Sequence, residues 1–278
     1  MSEIYGFDVF SPKEIAARVD SIGVAKARLP LLSMFMLSMM AGAFISLGAV
    51  YFVIVRSDPT LGFALKQLLG GVCFSLGLFL VVIAGAELFT GNNLLAMAWA
   101  DGKISTVEVL RNWTVVCLGN FVGALLLAIL VYLADHPQMN HGAIAQEYLR
   151  IATAKVNLPF WTAFFRGVLC NLLVCMAVWM ALAGRSVIDK AVAIIFPISA
   201  FVAAGFEHSI ANMFLIPLAM LLQGSNLVVE HGTTITWLGF FNNMFPVILG
   251  NILGGSVLVG LVYYIIYLRK PSKDTENH

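Results

Sequence analysis

LLGGVCFSLGLFLVVIAGAELFTGNNLLAMA (68–98) and AVAIIFPISAFVAAGFEHSIANMFLIPLAMLL (191–222) decide the fold of this chain. The two runs are 31 and 32 residues long. One bilayer crossing needs only about 20 apolar residues. Each run is interrupted near its middle by Gly-x-Glu, at Gly85/Glu87 and at Gly205/Glu207. Each then carries an Asn five residues after the Glu, Asn92 and Asn212, so the two sets stand at a constant offset of 120. A Glu in hydrocarbon is costly and marks a pathway or a partner. Paired interrupted helices in corresponding halves of a membrane chain point to a transport site.

Outward from these runs, composition sets the class. Hydrophobic residues make up 60% of the 278 and charged ones 11%. Six spans are expected, at about 33–55, 68–98, 110–133, 161–183, 191–222 and 240–268. The reading is an all-α membrane protein with a channel domain over 33–268. An amphipathic segment (1–32) precedes it and a short tail (269–278) follows. A formal net charge of +1 gives no reason to expect nucleic acid or an acidic partner. The four cysteines, Cys73, Cys117, Cys170 and Cys175, all sit in apolar runs. They read as small hydrophobes, neither disulfides nor a metal cluster. Residues 1–32 hold no apolar core of the kind a cleaved signal peptide needs.

Lys and Arg set the orientation. With the N-terminus in the cytoplasm, eleven fall inside (Lys13, Arg18, Lys26, Arg28, Lys103, Arg111, Arg185, Lys190, Arg269, Lys270, Lys273) and five outside (Arg56, Lys66, Arg150, Lys155, Arg166). The 223–238 link, on the outer side, carries none. Both termini are therefore expected in the cytoplasm. Ser11-Pro-Lys-Glu14 has the form of a capping box with Pro12 at the first helical position. Ile15, Val19 and Ile22 follow at helical spacing, which suits a helix lying on the inner leaflet. The plainer reading is a solvated helix with one apolar stripe.

The halves read as a duplication. Gly119-Asn120-x-x-Gly123 in the third span is echoed by Gly250-Asn251-x-x-Gly254 in the sixth. Three spans per repeat is an odd number, so the repeats must sit inverted, with a site near the midplane between them. Deep in the spans the ionisable groups other than Cys and Tyr are Glu87, Glu207 and His208. For Glu87 and Glu207 the favoured role is structural: a carboxylate at a half-helix end holding free backbone N–H groups. Histidine is the residue type whose reference pKa lies near physiological pH, and His208 lies in a break beside Ser209 and Asn212, which favours a functional role. A satisfied core histidine is the alternative.

An enzyme reading finds no support in these residues. No His-Glu-x-x-His motif is present. Glu207, His208 and Ser209 are sequence neighbours, which do not converge on one point of a helix. A structural or sensory membrane protein would leave the paired breaks without a purpose. No cofactor is expected.

The runs GGVCFSLGL (70–78), AGAELFTGN (84–92), LGNFVGALL (118–126), NLLVCMAVWMA (171–181), GRSVIDKA (184–191) and GFEHSIANMF (205–214) closely resemble the formate/nitrite transporter family. They are most similar to its formate-channel branch, with nitrite and hydrosulfide channels as alternatives. The resemblance implies an aquaporin-like protomer with broken second and fifth helices, five of which form a ring around a lipid-filled hole. It implies a bidirectional, pH-dependent passage for formate and related weak-acid anions in a bacterial inner membrane, with proton transfer near a central histidine, as either a passive channel or a proton-coupled transporter. It places the central histidine at His208 and its hydroxyl partner at Thr90. Constrictions fall at Phe74 and Phe201 on the outer side, and at Leu78, Leu88, Phe89 and Val174 on the inner. Lys155 becomes an outer-vestibule cation and Asn171 a pore-side amide, while Glu207 and Asn212 support the second break. Gly91-Asn92-Asn93 departs from the hydroxyl residues usual there, and the extra Gly is expected to loosen that loop.

Overall fold

The computed structural model describes residues 9–224 and 234–269. Most of the link at 223–238 and nearly all of the tail at 269–278 lie outside the described residues. What is described is helical, with no strand and one isolated bridge, Val9 to Gly184. The helices are α1 (Pro12–Ala27), α2 (Leu31–Arg56), α3 (Phe63–Ala84), α4 (Leu95–Ala100), α5 (Thr106–Leu133), α6 (Ala143–Val156), α7 (Phe160–Ala183), α8 (Val187–Ala203), α9 (Ser209–Gln223), α10 (Trp237–Ile252) and α11 (Val262–Tyr267). A π-helical stretch, Leu253–Leu261, joins α10 to α11 without a break.

Five segments are long and apolar enough to cross a bilayer: α2, α3, α5, α7 and Trp237–Tyr267. The run at 191–222 does not form one rod. It divides into α8, of 17 residues, and α9, of 15. The run at 68–98 likewise ends its long helix at Ala84 and resumes with a 3-10 turn, Gly91–Leu94, and α4. Gly85 closes α3 in the left-handed region at φ 80°, and Gly205 does the same after α8 at φ 69°. Side chains with a Cβ rarely adopt that conformation.

Helix starts follow the local sequence. Ser11/Glu14, Ser105/Glu108 and Ser186/Asp189 form complete capping boxes on α1, α5 and α8. Hydrogen bonds from Ser11 hold the Glu14 carboxyl below the usual range.

Packing is closest where glycines face backbone. A Cβ on Gly123 would strike the carbonyl of Met39, and one on Gly42 that of Asn120, so α2 and α5 touch main chain to main chain. Gly250 and Gly254 bring Trp237–Tyr267 equally close to Phe164 and Val168 of α7. Without a hydrophobic drive between helices in lipid, such contacts supply the packing. α9 is buried on every side, as an all-round apolar helix must be.

The apolar stripe of α1 is spent on protein, not on lipid. Ile15 and Val19 pack with Leu94, Met97, Trp179 and Val259 in a small core of their own. The four cysteines are unbridged and buried or half-buried.

Candidate functional site

The two interruptions are braced by the same set of bonds. The Glu87 N–H donates to the carbonyl of Leu37, and the Glu207 N–H to that of Arg166, each at 3.2 Å. Asn120 Nδ2 donates to the carbonyls of Ser38 and Glu87, while its Oδ1 accepts from the Phe89 N–H. Asn251 repeats this with the carbonyls of Gly167 and Glu207 and the N–H of Ser209. Irregular backbone at membrane depth has no water to bond, so it must be satisfied in this way.

The carboxylates play a different part from the one expected. They do not take up loop N–H groups. Glu87 accepts from Lys26 Nζ at 2.7 Å and from Asn92 Nδ2 at 2.7 Å. Glu207 accepts from Lys155 Nζ at 2.9 and 3.0 Å and from Asn212 Nδ2 at 2.7 Å. Asn92 and Asn212 bond on to Asn112 and Asn243, whose amides return to the carbonyls of Lys26 and Lys155. Both carboxylates are buried. An unpaired buried charge is expensive, so each Glu needs its Lys.

Lys26 was not singled out by the sequence. The available signal was weak: a lysine one residue before the end of the amphipathic helix that precedes each half. Lys26 and Lys155 stand 129 apart, close to the 120 of the glutamates.

Between the braces lies His208, 3% exposed. It caps α9, with Nδ1 accepting the Ala211 N–H at 3.2 Å. A backbone N–H only donates, so in the neutral ring Nδ1 bears the lone pair and Nε2 bears the proton, a tautomer inferred from the network. Nε2 lies 3.2 Å from Thr90 Oγ1. The Phe201 ring stacks on the imidazole at 5.8 Å between centroids, and Phe74 meets both rings edge-on. The equivalence of the halves fails at this point. At an offset of 120, Leu88 is the counterpart of His208 and Ile210 that of Thr90.

Two cavities approach this centre from opposite sides. One, of about 290 Å³, is lined by Lys155, Glu207, Phe74, Phe201 and His208 among others. The second, of about 250 Å³, is lined by Lys26, Glu87, Leu78, Leu88 and Val178 among others. Phe89 and Val174 are buried but line neither. Val178, one turn beyond Val174, lines the second. Asn171 also lines neither. Its Nδ2 donates to the carbonyls of Thr90 and Asn251 and to Asn93 Oδ1, so it ties the first break to α10. Gly255 leaves it room: a Cβ there would strike Asn171 and Cys175. Asn93 is fixed by this bond, and Ser256 Oγ donates to its carbonyl, so the loop after Thr90 is held despite Gly91. No group of three His, Cys, Asp or Glu able to hold a metal occurs among the described residues.

Apolar spanning helices, with an interior polar lattice bracing interrupted segments, define a multi-pass membrane protein. The chain belongs to the formate/nitrite transporter family, whose model matches residues 13–265. It is 40% identical over 275 residues to the formate channel FocA of Escherichia coli strain K12, covering 95% of this chain and 96% of that one. Among solved structures it is similar to a pentameric formate channel with formate bound, at TM-score 0.78 and 39% identity, covering 86% of this chain and 98% of that one. A second, an FNT family ion channel, gives TM-score 0.81 and 32% identity over 91% of this chain and 98% of that one.

Proposed function

We propose that this chain is a channel of the bacterial inner membrane that passes formate and similar small weak-acid anions in both directions. The protomer is two inverted three-helix repeats with broken second and fifth helices, and both termini face the cytoplasm. The domain boundaries are those expected above, except that α1 packs as part of the body. Five protomers assemble, as in the pentameric formate channel it resembles. The Lys155 cavity is the outer vestibule and the Lys26 cavity the inner one.

One observation carries this reading. Phe74 and Phe201 line the Lys155 cavity beside His208, and Leu78 and Leu88 line the Lys26 cavity, which supports reading them as apolar collars on either side of one imidazole. Moving a bare carboxylate into such a collar costs on the order of tens of kcal/mol by ideal Born solvation. The neutral acid avoids most of that cost. Desolvation at the collar favours the uncharged form, so the permeant anion gains basicity as it enters. Lys155 lines the outer mouth and Lys26 the inner one, each paired with its Glu.

The proton comes from vestibule water. The cap fixes His208 as a hydrogen-bond donor at Nε2, shared with Thr90, while protonation of Nδ1 would end the bond to Ala211. The ring therefore receives the incoming oxygen in the centre of the pore. An imidazolium formed in acid would break the cap and alter passage, which makes flux pH-dependent.

Proteoliposome uptake of labelled formate by wild type and His208→Asn, from about pH 5 to 8, tests the reading. A changed pH profile in the variant is expected. Identical profiles would remove His208 from the mechanism. Competition by nitrite, hydrosulfide, acetate and lactate in the same assay ranks the substrates.

A further inference from the structure

The outer vestibule carries more positive charge than its ion pairs use. Arg56, Arg150, Lys155 and Arg166 all line it. Lys155 is neutralised by Glu207, which grips it with both oxygens. Arg56 and Arg150 share one carboxylate, Glu147, at 3.2 Å from Arg56 and 2.6 and 2.7 Å from Arg150. Arg166 is exposed to the vestibule and has no acidic partner among the described residues. Four cations against Glu147 and Glu207 leave an excess of two positive charges. The other vestibule has no such excess, because Lys26 and Glu87 cancel. The asymmetry traces to single positions. Arg166 and Leu37 occupy equivalent places, each lending its carbonyl to a loop glutamate.

We propose that Arg166, with the Arg56–Arg150 pair, forms an anion-binding site at the outer mouth that also accepts small dicarboxylates, which then block entry. The site rests on the channel reading for its consequence but not for its existence. Guanidinium groups offer paired N–H donors that match a carboxylate. Both centres of excess charge line one cavity, so a ligand with two carboxylates can answer both. A dianion must lose both charges to pass the phenylalanine collar, so it lodges at the mouth. Lys155, already held by a buried acid, is a weaker collector than the partnerless Arg166.

The test uses the full-length protein and oxalate. Calorimetry on the detergent-purified protein measures binding. Formate uptake by proteoliposomes, with oxalate added outside, measures block. Wild type binds oxalate, and Arg166→Gln weakens binding about ten- to a hundredfold, the loss of one charge-assisted contact. Arg166→Lys retains part of it. The substitution leaves the loop intact, because Glu207 bonds to the Arg166 carbonyl and not to its side chain. Unchanged binding in Arg166→Gln, or none in wild type, overturns the site. Binding without any formate flux in wild type would instead sink the channel reading and leave the site standing. Block only by oxalate trapped on the Lys26 side would also overturn the proposal.

Discussion

His208 does two jobs with two ring nitrogens. Nδ1 caps α9 and Nε2 meets Thr90, so Asn at this position keeps a cap acceptor but loses the second contact. His208→Asn should therefore fold, which makes its flux profile interpretable. Phe201 lies over the same ring and, with Phe74, lines the cavity on the Lys155 side. Phe201→Ala should raise permeability to acetate and lactate relative to formate by about tenfold or more, the usual reach of one apolar group in discrimination. Unchanged selectivity in a uptake panel would assign Phe201 to packing. The buried pairs behave differently. Lys155→Met leaves the buried Glu207 without its counter-charge, with only Asn212 bonded to it, at a cost of about 3–5 kcal/mol. Thermal unfolding should show that loss, and Lys155→Met with Glu207→Gln should recover much of it. A double variant no more stable than the single would contradict the pairing as the source of the loss.

At the scale of elements, the breaks were legible because two features mark them. Gly-x-Glu and an Asn five residues after the Glu recur at a fixed offset of 120, and a Glu is uncommon in a plain span. Lys26 was not legible, because one lysine on an amphipathic helix looks like any surface charge. Only the fold shows its ammonium reaching Glu87. The destination of the α1 stripe was hidden for a similar reason: apolar periodicity says that a face is covered, not whether lipid or protein covers it. Asn171 shows the converse. Its type and depth suit a pore wall, and while its Nδ2 is spent on Thr90, Asn93 and Asn251, its buried Oδ1 has no partner among the described residues. The glycine contacts yield a sharp prediction. Gly123→Leu must push α2 from α5 and should abolish the monodisperse folded peak in size-exclusion chromatography. Gly62→Leu, whose added Cβ meets nothing within 4 Å, should leave it unchanged. Equal behaviour of the two would refute backbone contact as the basis of packing.

For the whole molecule, acid response must be separated from unfolding. Glu14 and Asp189 are held below the ordinary carboxylate range by hydrogen bonds in their capping boxes. A depressed carboxyl contributes stability that is fully present above its unfolded value, about 4 for these residue types, and lost as pH falls through the folded value. The caps therefore stay formed from about pH 5 upward, and circular dichroism should be flat across that range. A flux change there belongs to the pore. Assembly is a separate question: five copies of a 30.1 kDa chain are expected in detergent, and a corrected mass near one or three copies would contradict the ring. The central claim is that permeant anions are neutralised between greasy collars. Its most direct measurement is proteoliposome flux of formate against nitrate, the anion of a strong acid, over a range of external pH. Formate flux should rise as the medium is acidified toward pH 5 and exceed nitrate flux by orders of magnitude. Nitrate passing as fast as formate, with neither responding to proton concentration, would contradict the account.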